Sequence, residues 1–163
     1  MTLQTIGWRE WVTLPDFGVP SIKAKIDTGA RTSSLHAFGT ELFRRRGRDW
    51  VRFSIHPEQR SKAGAAMVEA LLLDVRTVRP SSGHAERRLV VETTIELLGD
   101  RWPIELTLTR RDAMGFRMLL GRQALRGHVL VDPGRSFVNG RRVKGTRRIK
   151  KPKAKAKKAP RRR

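Results

Sequence analysis

The chain has no cysteine, which excludes a disulfide framework and a thiolate metal site. No apolar run approaches the roughly 20 residues that a membrane-spanning helix needs. Met1 to Trp8 shows neither the basic nor the apolar segment of a secretory leader. A soluble, cytoplasmic protein with no membrane partner is the expectation. Acidic residues are scarce: 15 Asp and Glu stand against 36 Lys and Arg, a formal charge of +21. The imbalance is uneven. Arg141 to Arg163 holds 14 of the basic residues and no acidic one, which leaves 22 against 15, or +7, in residues 1–140.

At 163 residues the chain is long enough for one domain with a real core, but not comfortably for two. The charge boundary divides it into a folded body, 1–140, and a Lys/Arg-rich tail, 141–163. Stretches such as Lys150-Lys151-Pro152-Lys153 offer little to bury, so the tail is expected to be disordered. It serves either as a salt-sensitive contact with a polyanion such as RNA or the ribosome, or as a solubilising extension. With no Phe, Trp or Tyr in it, any such contact is electrostatic rather than sequence-reading.

The body reads mostly as strands. Ser21 to Ile26 alternates polar and apolar residues, and Trp50 to Ile55 and Arg101 to Leu108 are similar. Arg88 to Leu98 is rich in Val, Ile and Thr, and the β-branched end of Leu71 to Val78 also favours a strand. Pro15 to Gly18, Arg46 to Asp49, Ser81 to Gly83 and Asp132 to Gly134 are turn signals, and His56 to Ala66 reads as a loop. Arg122 to Arg126, stopped by Gly127, is the one short helix. The fold class is mainly β: a small closed barrel with one late helix.

Asp27-Thr28-Gly29 is a turn-prone string that an ordinary β-turn can explain. It also follows directly on a strand, where a carboxylate can be held by backbone N–H groups and face a cleft. Gly29 would allow a tight turn and the close approach of a symmetry mate, and the Thr28 hydroxyl can tie the loop. Later comes Leu119-Leu120-Gly121-Arg122, just before the helix. In that order the two segments resemble the retropepsin-like aspartic peptidases. Ala24 to Ala37, Trp50 to Phe53, Ser82 to Arg88 and Met118 to Arg122 together resemble a narrower bacterial family. This is the RimB-type proteins, associated with RimK-type ATP-grasp ligases and often labelled ATP-dependent zinc proteases. The resemblance spans about Ile6 to Val138 and leaves the tail out.

The resemblance implies a closed retropepsin-like barrel working as a homodimer, since peptidase chemistry of this kind needs two carboxylates sharing one proton. Asp27 would be catalytic, with Thr28, Gly29 and Ala30 forming the active-site loop. Leu119, Leu120, Gly121 and Arg122 would support that loop from behind, Arg122 by bonding its carbonyls or by pairing with Asp112. Arg31, Glu86 and Arg88 would contact substrate. The turn Ser81 to Arg88 is either a flap or an ordinary surface hairpin. No cofactor is implied. The zinc label finds little among His36, His56, His84 and His128, which lack the helical His-Glu-x-x-His spacing; only Glu86 stands near His84. The ligase association and the basic body point to an acidic or glutamate-tailed substrate. The alternative is a non-catalytic protein on a peptidase fold that binds RNA or the ribosome, or regulates a ligase.

Overall fold

A computed structural model describes residues 2–58, 65–78, 83–110 and 115–140. The basic tail lies outside the described residues. Among the described residues eleven strands run in the order β1 (Gln4–Ile6), β2 (Arg9–Leu14), β3 (Val19–Asp27), β4 (Ser33–His36), β5 (Phe38–Arg45), β6 (Arg48–Ile55), β7 (Ala66–Val78), β8 (Glu86–Leu97), β9 (Asp100–Thr109), β10 (Met118–Gly121) and β11 (Val129–Val131). One short helix, α1 (Arg122–Leu125), follows β10. No helix among the described residues is long and apolar enough to cross a membrane.

The strands hydrogen-bond in the order β2-β3-β10-β4-β9-β8, and a β2–β8 contact at Thr13 and Glu96 closes the ring into a six-stranded barrel. This is the closed barrel expected. From β8 the sheet continues outward through β7 and β6 to β5, and β1 pairs separately with β11 in parallel. The barrel fills with alternate residues of each strand. Val12 and Leu14, then Ile22, Ala24 and Ile26, then Leu106 and Leu120, all enter one core. Val51, Phe53 and Ile55 extend that core beneath the outer sheet.

Most sequence boundaries shift by a residue or two. The exception is β7, which begins at Ala66 rather than Leu71, because Met67 to Ala70 pairs with Val51 to Ser54 on β6. Residues 59–64 of the expected loop, and 79–82 at the expected hairpin tip, lie outside the described residues. Pro15 to Phe17 forms a single 3-10 turn, stopped by Gly18 at φ 64°.

One buried charge joins the two ends of the fold. Glu10 is 0% exposed, and its carboxylate accepts hydrogen bonds from the backbone N–H groups of Gly7 (2.8 Å), Val138 (3.1 Å) and Asn139 (2.8 Å). The Asn139 side chain then bridges β2 and the end of β8, donating to the Trp11 carbonyl and accepting from the Leu98 N–H, both at 2.7 Å. A carboxylate with three backbone donors is satisfied despite its burial. Glu10→Ala leaves those donors buried and unpaired. It should lower unfolding stability by about 3 kcal/mol, measured by urea denaturation; an unchanged midpoint would show that the clasp contributes nothing.

Candidate active site

The inward set Ile22, Ala24 and Ile26 leaves Lys23, Lys25 and Asp27 pointing outward from β3. Asp27 is the last residue of β3. Its Oδ1 accepts from the Gly29 N–H at 3.0 Å and the Ala30 N–H at 3.2 Å, so the loop's own backbone orients the carboxylate. Asp27 itself is half-buried, whereas Thr28 and Gly29 are exposed.

Thr28 and Gly29 form the tight turn, closed by the Ala30 N–H donating to the Asp27 carbonyl at 3.2 Å, though not through a left-handed glycine. At Gly29 the constraint is space: a Cβ there would stand 3.2 Å from Asp27 Oδ1. A close approach within the chain falls at Gly121. Here β10 runs parallel to β3, with Leu120 beside Ile26 and Gly121 beside Asp27. A Cβ at Gly121 would come within 2.5 Å of the Thr32 carbonyl oxygen, which is backbone and cannot swing away. Glycine lets the two segments touch.

Residues 121–123 then strap the loop by hydrogen bonds. The Gly121 N–H donates to Ser33 Oγ (3.0 Å), the Arg122 N–H to the Ala30 carbonyl (2.7 Å) and the Gln123 N–H to the Arg31 carbonyl (3.1 Å). These N–H groups open the helix and have no partner within it, so the loop carbonyls satisfy them. The Arg122 guanidinium adds a bond from Nη1 to the Thr28 carbonyl at 3.0 Å, the first of its two expected roles. Asp112 lies outside the described residues. Leu120 is buried in the core, and Leu119 faces outward beside Lys25 on one side and Ser34 on the other.

Asp27, Thr28, Gly29, Ala30, Leu119, Leu120, Gly121 and Arg122 therefore come together around one loop. Arg31 is exposed beside them, on the rim of a groove of about 690 Å³ shared with Ser33, Glu105 and Gln123. Glu86 and Arg88 lie elsewhere. Their charged groups are 3.5 Å apart and line a second groove, of about 630 Å³, with Leu42, Leu108 and Arg110. Strand register explains the separation. Asp27 sits at the Ser33 end of β4, while pairing of β4 with β9, and of β9 with β8, sets Arg88 toward the His36 end. Asp27 lines neither groove.

Three histidines pack against rings. His36 and His56 both stack on Phe38, at 4.3 and 4.1 Å, and His128 stacks on Trp102 at 4.4 Å. Among the described residues no three or more His, Cys, Asp or Glu side chains cluster in a way that could hold a metal ion.

A closed barrel, an Asp-Thr-Gly loop ending one strand, and a parallel strand with glycine against that loop define the retropepsin-like class. Residues 5–142 match the family model described as RimB-like, retropepsin-like aspartic endopeptidase RimB, and the chain belongs to that family. It is 48% identical over 135 residues to a probable alpha-L-glutamate ligase of Shewanella pealeana, covering 83% of this chain and 30% of the relative. A protein of the same name from Parasynechococcus marenigrum is 50% identical over 128 residues, covering 78% of this chain and 28% of the relative. The chain thus spans less than a third of the length of these relatives. A crystal structure from Legionella pneumophila, of a protein of unknown function, superposes with a TM-score of 0.71 at 29% identity, covering 85% of this chain and 99% of that one.

Gly121→Ala tests the close approach. The added methyl meets backbone, so unfolding stability should fall by about 1–3 kcal/mol in chemical denaturation. A stability equal to the parent would mean the loop and β10 are not in contact.

Proposed function

We propose that the protein is a homodimeric aspartic peptidase in which Asp27 of each copy meets its twin at the two-fold axis. What carries this reading is the held Asp27 carboxylate: outward-facing, half-exposed, and oriented by two backbone N–H groups on a loop that β10 and Arg122 brace. One such carboxylate is half a site. Two carboxylates about 3 Å apart cannot both ionise, so the pair holds one proton.

The ionised member takes a proton from a water molecule as its oxygen attacks the substrate carbonyl carbon. The protonated member gives its proton to the carbonyl oxygen, forming a tetrahedral diol. Breakdown returns a proton to the dyad as the C–N bond breaks, and the leaving nitrogen takes up the other. One water is consumed, and the dyad recovers its single proton. Neither a cofactor nor a covalent intermediate enters.

The substrate class follows from charge and from the relatives. Residues 1–140 carry 22 basic against 15 acidic side chains, which favours an acidic peptide or a glutamate-tailed protein in the cytoplasm. The domain's recurrence in longer chains named probable alpha-L-glutamate ligase supports a substrate connected with glutamate addition. That same recurrence, with the 14 basic residues of 141–163, favours a second reading: a non-catalytic module that regulates a ligase or contacts RNA or the ribosome.

Asp27→Asn separates the two. Cleavage of a glutamate-tailed peptide should fall by at least about 100-fold, while the dimer mass in light scattering is unchanged. Full activity in the variant would remove the peptidase reading.

A further inference from the structure

We propose that the end of the β5–β6 hairpin is a nucleic-acid contact, a basic ribbon that grips the phosphate backbone of a duplex. The proposal is separate from the peptidase reading and holds whether or not Asp27 catalyses anything.

In the sheet, β6 pairs with β7 only from Trp50, opposite Leu71, to Ile55, opposite Ala66. Beyond Trp50 the ladder pairs Arg44 with Asp49 and Arg45 with Arg48, and no third strand joins them. The end of the hairpin is therefore a two-stranded ribbon, and all six residues 44–49 are exposed. Four of the six are arginine and one is aspartate, a net +3. On the outer side, β5 is the last strand of the sheet among the described residues.

Two local features disfavour arginine at these positions. Arg45 lies directly opposite Arg48, and like charges in that relation repel. Arg46 opens the turn at φ 50°, followed by Gly47 at 74°. A turn of that hand suits Asn, Asp or Gly in its first place. Among the described residues two other non-glycine residues have positive φ, and packing holds both: Leu98 lies against the core and Phe137 stacks on Trp11. Arg46 is exposed and has no such support. A side chain kept where the backbone does not favour it points to a role outside the fold.

The base of the ribbon is braced from within. Phe43 stands opposite Trp50, and Arg45 Cζ lies 5.1 Å from the first ring and 5.4 Å from the second. Arg52 Cζ lies 5.1 Å from Phe43, and Glu69 takes Arg45 and Arg52 at 2.8 and 2.9 Å. Arg44 Nη2 donates to the Gly47 carbonyl at 2.9 Å, and its Nε meets Asp49 at 3.5 Å. Arg46 and Arg48, in no ion pair among the described residues, are left at the tip to face a partner.

Spacing selects that partner. Side chains opposite one another across a ribbon stand about 5 Å apart. An extended acidic peptide sets carboxylates along one face only about every 7 Å. A duplex carries one phosphate charge per about 1.7 Å of its axis, dense enough to meet both strands of the ribbon. A two-stranded ribbon also has the width to enter a major groove. Arginine forks bind phosphate oxygens in pairs and read no sequence there, so the contact is salt-sensitive and indifferent to sequence. The 14 basic residues of 141–163 add attraction for the same polyanion.

The test titrates the full chain with fluorescent DNA and RNA duplexes of about 20 base pairs, and with a fluorescent deca-glutamate. Arg46→Gln with Arg48→Gln should weaken at least one duplex by at least about fivefold near 0.15 M salt. The slope of log K against log salt should flatten by about 1–2. The equal charge change Arg87→Gln with Arg126→Gln should cost less than about twofold. A urea midpoint equal to the parent's shows that the loss is not unfolding. Whichever duplex loses more names the source of the phosphate. No duplex binding by the parent, or equal losses from the two pairs, would overturn the proposal. So would a loss confined to deca-glutamate, which makes the ribbon a peptide surface. Self-association of the variant with duplex binding intact would also overturn it, leaving the arginines as guards of the β5 edge.

Discussion

Everything about the Asp27 loop depends on the parallel contact between β3 and β10. Gly121 stands beside Asp27 with its Cα against the Thr32 carbonyl, a separation that no side chain would permit. Once that contact is made, the remaining bonds follow from position. The first N–H groups of α1 find the carbonyls of Ala30 and Arg31, Ser33 accepts from Gly121, and Arg122 reaches back to Thr28. The loop is left with one conformation, and its carboxylate with one direction. A surface turn of the same three residues would have none of this support, which is why the late Leu-Leu-Gly-Arg carries as much meaning as the Asp itself.

The barrel was legible in the sequence because alternation is a local property. Ser21 to Ile26 shows its inward and outward faces without reference to any other strand. Two features were not legible. Glu10 reads as one more charged residue on β2, and only the return of Val138 and Asn139 from the far end of the chain reveals why it is buried. The separation of Glu86 and Arg88 from Asp27 depends on register across β4, β9 and β8, which no short window contains.

Charge is distributed with the same logic. Glu69 neutralises Arg45 and Arg52 on the outer sheet, and Glu105 and Glu96 pair with Arg76 and Arg101, whereas Arg9 and Lys23 near Asp27 rest on aromatic rings.

The most direct test is the distance between the two Asp27 carboxylates in the assembled protein, measured in a crystal structure of the full chain. A two-fold dimer with those carboxylates about 3 Å apart is the predicted result. A monomer, or a dimer that keeps the two Asp27 side chains on separate surfaces, would contradict a shared dyad.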